Sequence, residues 1–162
     1  MKRREALALL LAGGLGSWAA RLAAQGAKRV GPDARQWDAV VDRAVAYLRT
    51  SQGKDGGWDT EQSPGITGIV LTGLLRTGRV DAKDPMVEKG LKYVESLINR
   101  KAGHIAGRNP HVKLQNYVTS VNVMALTAAG RDSYKAVIAD AARFLRKLQW
   151  DEQEGKIGRA HV

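Results

Sequence analysis

Apolar residues return at helical spacing in five stretches of the chain. Behind Asp33, a reasonable N-cap, Trp37, Val40, Val41, Ala44 and Leu48 predict a helix running to about Ser51. Gly53 to Pro64 reads as loop. A short helix from about Gly65 to Thr77 is expected to close on Gly78 as a left-handed C-cap. Asp84-Pro85 then places a capping side chain and an N1 proline at the start of a third helix, whose Val87, Leu91, Val94, Leu97 and Ile98 keep one face. Residues 100–115 are polar and contain Gly and Pro, so they read as loop. A fourth helix covers roughly Asn116 to Ala129 and ends at Gly130. Asp132 or Ser133 is expected to cap a fifth, running to about Leu148 with Val137, Ile138, Ala141, Leu145 and Leu148 inward. No stretch alternates as a strand would, and the expected fold class is all-α.

The chain also repeats itself. Thr67 to Arg79 aligns with Thr119 to Arg131, each segment ending in Gly-Arg. A second helix follows each copy and carries an aromatic-aliphatic pair, Tyr93-Val94 and Phe144-Leu145; Tyr47-Leu48 holds the same place in the first helix. Two helices in a repeat of about fifty residues describe a tandem array of helical hairpins. Each hairpin buries one face only against its neighbours, so an isolated pair would be unstable.

Composition narrows the chemistry. A chain of 162 residues allows one domain, and 44% hydrophobic with 26% charged residues is ordinary globular usage. The absence of cysteine removes disulfides, thiolate zinc sites, cysteine nucleophiles and thioesters together. The net charge of +10 is dispersed among acidic neighbours, as at Lys83-Asp84 and Asp42-Arg43, with no basic stripe or recognition helix, so nucleic acid is not expected as a partner. Gly13, Gly14, Gly16 and Arg21 interrupt the best apolar run, so no transmembrane span is expected.

Both ends carry signals of their own. Lys2-Arg3-Arg4, the apolar stretch Ala6–Ala12 and the small residues at Ala23, Ala24, Gly26 and Ala27 read as an export signal over residues 1–26, with cleavage between Ala24 and Ala27. Arg3-Arg4 before a weakly hydrophobic segment also resembles a twin-arginine signal, although Lys2 and Ala6 depart from that pattern. The expected address is periplasmic or extracellular. At the other end, Ile157-Gly158-Arg159-Ala160-His161-Val162 back-translates as ATC GGA AGA GCA CAC GTC, the string of a widely used sequencing-library adapter. Residues 157–162 are therefore expected to be a non-native tail, with the natural chain continuing beyond about Lys156, and His161 carries no functional weight.

The sharpest local motif runs from Arg43 through Tyr47-Leu48 to Gln52-Gly53 and on to Gly56-Gly57-Trp58. It resembles the QW repeat of the squalene–hopene cyclase and prenyltransferase superfamily: basic residue, small residue, aromatic-Leu, Gln, then Gly-x-Trp. A degraded copy, Lys89-Gly90-Leu91-Lys92-Tyr93-Val94, lacks the Gln and Trp; a third begins at Ala141 and passes Phe144 and Leu145 to reach Gln149. The resemblance covers about residues 34–155 and implies a partial α/α toroid, an incomplete repeat domain over residues 27–156. Physically the motif needs no catalysis. Gln52 at a helix C-terminus can bond backbone groups of adjoining helices, and Trp58 can pack on the next hairpin while Gly53, Gly56 and Gly57 permit the chain reversal. Tyr47, Leu48, Gln52, Gly53, Gly56, Gly57, Trp58, Phe144, Leu145 and Gln149 are accordingly read as structural residues.

The catalytic features that the resemblance implies have no counterpart among these residues. The cyclases' Asp-x-Asp-Asp acid motif does not occur; Asp55 and Asp59 flank a wet turn, and Asp81 and Asp84 surround a helix start. The zinc-binding Asp/Cys/His set is impossible without cysteine. His104 and His111 lie on a loop without metal-ligand spacing, and Asn109-Pro110-His111 reads as a turn. A polysaccharide-active toroid would need paired carboxylates facing a groove, and none can be nominated. No catalytic, cofactor-binding or metal residue is assigned and no cofactor is expected. The reading is an exported repeat protein that binds an unspecified ligand or protein or serves as a scaffold. The alternative is a fragment of a terpenoid cyclase or prenyl-transfer enzyme whose catalytic residues lie beyond the break. Five helices are fewer than the family's closed rings use, so one hairpin face is expected to stay exposed and apolar and to favour self-association.

Overall fold

A computed structural model describes residues 31, 33–107 and 114–149. The export segment 1–26 with its cleavage region, the Asn109-Pro110-His111 turn and the tail 157–162 lie outside the described residues. The described chain comprises α1 (Ala34–Ser51), α2 (Gly65–Arg76), α3 (Pro85–Ser96), the strand pair β1 (Ile98–Asn99) and β2 (His104–Ile105), α4 (Gln115–Ala129), a 3₁₀ turn (Asp132–Tyr134) and α5 (Lys135–Lys147). The fold is all-α in class, with one small hairpin. The chain forms two compact units, Met1–Trp37 and Asp38–Val162.

Capping chemistry starts and stops several helices. In the first unit, the Asp33 carboxylate accepts from the Gln36 N–H at 2.8 Å, as an N-cap should. In the second, Asp84 accepts from the Met86 N–H at 2.9 Å directly before Pro85 at N1. Gly78 (φ 68°) and Gly130 (φ 64°) turn left-handed just past α2 and α4, where glycine has no Cβ penalty.

The core gathers Leu71 and Leu74 of α2, Val87, Leu91 and Val94 of α3, and Leu126 of α4, all essentially without exposure. Helices α2 and α4 approach closely because Gly68 offers no side chain: a Cβ there would lie 2.9 Å from the Val121 backbone. Helix α1 contributes no fully buried residue; Val45 and Leu48 pack against the core from its rim.

Four expectations are corrected. Helix α3 stops at Ser96, so Leu97 and Ile98 do not extend its face, and Ile98 instead pairs with Ile105. Residues 100–115 are not simply polar loop, since His104, Ile105 and Ala106 are buried. Strands of two residues are too short to show alternation, which is why the pattern is silent about them. Neither Asp132 nor Ser133 caps α5: both lie in the 3₁₀ turn, no side-chain cap bond forms, and Tyr134 drops into the core. Leu148, expected inward, is 50% exposed just past the helix end.

Candidate functional site

The Gln52–Trp58 turn is held by a set of hydrogen bonds to its own backbone and to its neighbours. The Gly53 N–H bonds the Gly57 carbonyl at 2.8 Å and the Gly56 N–H bonds the Gly53 carbonyl at 3.0 Å, reversing the chain. The Gln52 side chain donates across the reversal to the Gly56 carbonyl at 2.8 Å and outward to the Met86 carbonyl of α3 at 2.9 Å. Gly56 has φ 95°, and a Cβ there would stand 2.5 Å from the Lys89 carbonyl, so the turn lies directly on α3. Trp58 is 4% exposed. Its indole N–H donates at 2.8 Å to the Leu48 carbonyl, one of the last carbonyls of α1, which also accepts from the Ser51 hydroxyl at 3.4 Å. The ring rests where Gly90 leaves room on α3. Its backbone N–H donates to the Thr67 hydroxyl at 3.0 Å.

Charged groups flank this turn as fasteners. The Asp55 carboxylate accepts from the Gly57 N–H at 3.1 Å and from the Thr60 hydroxyl at 2.9 Å. Burial, and then the Asp55 charge, pushes the nearby Tyr93 hydroxyl above its ordinary pKa, with the Thr60 bond opposing. Arg49 grips Asp84 through two bonds of 3.1 and 2.8 Å. That contact, ahead of the Met86 N–H bond, holds the Asp84 carboxyl below the usual carboxylate range.

The β1–β2 hairpin is the same device one repeat later. The Gly103 N–H bonds the Asn99 carbonyl at 2.8 Å, with Gly103 at φ 83°. As Gly56 lies on Lys89 of α3, Gly103 lies on Asp140 of α5, where a Cβ would be 3.3 Å from the carbonyl. As Gly57 abuts the Tyr93 ring, His104 meets the Phe144 ring with centroids 5.3 Å apart. The Ile105 N–H donates to the Thr119 hydroxyl at 3.2 Å, matching Trp58 and Thr67. The Ile105 carbonyl accepts from Asn122 Nδ2 at 2.9 Å.

Arginines close each repeat. Arg79, after the Gly78 cap, pairs with Asp38 at 2.5 Å and Asp42 at 3.0 Å on α1. Arg131, after the Gly130 cap, reaches Glu88 on α3 at 3.4 Å, donates to the Ala82 carbonyl and lies 5.9 Å above the Tyr134 ring. The Tyr134 hydroxyl donates to Glu95 at 2.6 Å; burial first, then Glu95, pushes its pKa up to about 12.

His104 is the one imidazole among the described residues, and sequence reasoning missed its burial. It is 6% exposed, its Nδ1 has no partner among the described residues, and Asn99 Nδ2 stands 3.5 Å from its Nε2. Asn99 Oδ1 is engaged by the Ala102 N–H at 3.1 Å, which turns the amide nitrogen toward the ring and makes Nε2 the acceptor. Burial lowers the His104 pKa. The adjoining cavity, about 10 Å³, is bounded by Asn99, Val137 and Asp140 and has room for roughly one water.

Of the motif residues, Gln52, Gly53, Gly56, Gly57, Trp58 and Leu48 meet at the first turn, and Phe144 serves the second. Leu145 is half-buried on α5, whereas Tyr47 is 69% exposed and Gln149 is also exposed. Asp55 and Asp59 are exposed, and Asp81 and Asp84 frame the start of α3. Among the described residues, no group of three or more His, Asp or Glu side chains gathers as a metal-ligand set, and no helix is long and apolar enough to cross a membrane. An open depression of about 590 Å³ lies over Leu75, Arg79, Val80, Lys83 and Ala128. No family model, curated protein or solved structure matches the chain.

Proposed function

We propose that this chain is an exported helical-repeat module of the squalene-cyclase and prenyltransferase type, a partial α/α toroid that binds or scaffolds and carries no chemistry in these residues. The observation that carries the reading is the use made of the motif. Gln52 and Trp58 spend their side-chain N–H groups on the Gly56, Met86 and Leu48 carbonyls, so the motif fastens hairpins to one another. Tyr117 and Met124, seven residues apart on one side of α4 and each nearly half exposed, offer apolar area for a bound partner. The open hairpin edge also suits association of the chain with copies of itself.

Two measurements test this. Incubation with squalene or prenyl diphosphates should leave the substrate unchanged; turnover by this chain would overturn the reading. Sequencing the N-terminus of protein exported from a bacterial host should begin between Gln25 and Lys28, and a retained Met1 would remove the export signal.

A further inference from the structure

We propose that the β1–β2 hairpin is an acid-operated latch, seated on α4 and α5 while His104 is neutral and released when His104 takes up a proton.

Hydrogen-bond polarity fixes the seated state. The Ala102 N–H donates to Asn99 Oδ1 at 3.1 Å, so the Asn99 amide nitrogen faces His104 Nε2, 3.5 Å away. An amide nitrogen donates and does not accept, so Nε2 presents its lone pair and the ring proton sits on Nδ1. A protonated imidazole carries N–H on both nitrogens and sets a donor against that donor. Turning the Asn99 amide over gives no escape, because its NH₂ group then meets the Ala102 N–H. Either orientation leaves two donors face to face. Solvent cannot take up the difference where the ring lies: it is buried against Phe144, and the adjoining cavity, about 10 Å³, has room for roughly one water.

The charges around the ring also favour its neutral form. Arg100 of the hairpin borders the cavity, with Lys101 next in the chain. On α5 Asp140 borders it too, but its carboxylate is already paired with Arg143. Helix α4 faces the hairpin with Thr119 and Asn122, neither of them charged. The seat itself is slight. The ladder has two residue pairs, Ile98 with Ile105 and Asn99 with His104, so the second pair is the one a proton disturbs. The bonds from β2 to α4 both lie at the neighbouring Ile105, through its N–H to Thr119 at 3.2 Å and its carbonyl to Asn122 at 2.9 Å. Release uncovers Ile105 and Ala106, which have no exposure when seated. The first turn has no counterpart of this device, because Gly57 holds the place of His104 before Trp58.

The test is native-state hydrogen exchange on the full 162-residue chain, read by NMR at the Ile105 and Trp58 amides, which make equivalent bonds in the two turns. Ile105 protection, corrected for the intrinsic exchange rate, should fall by about tenfold per pH unit from about pH 6.5 downward until His104 is protonated in the seated state, while Trp58 protection holds. Asn99→Asp supplies a carboxylate that accepts from the Ala102 N–H and from a protonated Nε2 together. It should lift the His104 pKa, read from the ring protons, above the ordinary histidine value and abolish the loss. His104→Phe should make Ile105 protection independent of pH over the same range. Ile105 protection that ignores acid in the wild-type chain, or that falls in step with Trp58, would overturn the latch. So would a loss that persists in His104→Phe, or an Asn99→Asp chain whose His104 still titrates below its ordinary value.

Discussion

Thr67 of α2 and Thr119 of α4 make the same bond in the first turns of their helices. Each hydroxyl is fully buried, and each accepts the backbone N–H of the residue that ends a glycine turn, Trp58 at 3.0 Å and Ile105 at 3.2 Å. Thr67→Val and Thr119→Val keep the shape and strand a buried N–H, so each should lower stability by about 1–3 kcal/mol. Urea titration followed by circular dichroism gives both values; a difference larger than that range would mean the two turns are not equivalent.

Trp58 separates packing from hydrogen bonding. Trp58→Phe keeps much of the ring but leaves the Leu48 carbonyl without its indole donor, which should cost about 1–2 kcal/mol. Trp58→Ala also opens a cavity against Gly90 and Leu71 and should cost about 3–5 kcal/mol. Equal losses in the two variants would show that the indole bond, and not the packing of the ring, carries the contribution of Trp58.

Glycines at similar φ should differ sharply. Gly56→Ala meets the Lys89 carbonyl as well as an unfavourable φ of 95°, whereas Gly78→Ala, at φ 68°, meets nothing within 4 Å. The second should cost about 1 kcal/mol from the backbone alone, and the first clearly more. Melting curves of the pair would decide it, and similar curves would put the α3 contact in doubt.

Two groups set the acid limb of stability. His104 is held below its ordinary pKa by burial, so the unfolded chain binds its proton more readily. Stability is full above about pH 6.5 and falls as the pH drops from there toward the lowered folded value. Asp84 is also depressed, chiefly by Arg49, so its contribution is present above about pH 4 and is lost as the pH falls through its folded pKa. His104→Phe should flatten the first slope and leave the second. Stability measured from pH 7.5 to 3 in both chains reads this directly.

Asp84→Ala removes a cap and an ion pair together and should lower stability by about 1–2 kcal/mol. Asp84→Asn keeps a capping oxygen and should recover part of that loss, which differential scanning calorimetry can resolve.

Helix punctuation is the part of this fold most visible in sequence. Asp84-Pro85, Gly78 and Gly130 act through their own backbone chemistry and need no neighbours to be recognised. The β1–β2 hairpin was hidden because only two residues pair on each side, and because Gly103-His104-Ile105 shares just one glycine with Gly56-Gly57-Trp58. Its equivalence emerges through what it touches, the backbone of Asp140 and the buried hydroxyl of Thr119. Arg79 and Arg131 were already aligned as copies in the sequence. What they hold, Asp42 and Glu88, lies on an earlier helix several dozen residues back, a distance that pattern alone does not bridge. Tyr134 was unreadable for the opposite reason: its polar neighbours Asp132 and Ser133 suggest a surface cap, while a 3₁₀ turn carries the ring inward.

Every group that secures α1 within the second unit comes later in the chain: the Trp58 indole, the Arg79 guanidinium and the Asp84 carboxylate. A ribosome therefore releases α1 before anything that fastens it. Until Trp58 and α2 emerge, Val45 and Leu48 have no core to meet, and the helix must survive on its own propensity. The tempo of translation between Ser51 and Asp84 thus sets how long α1 waits for its full set of fasteners.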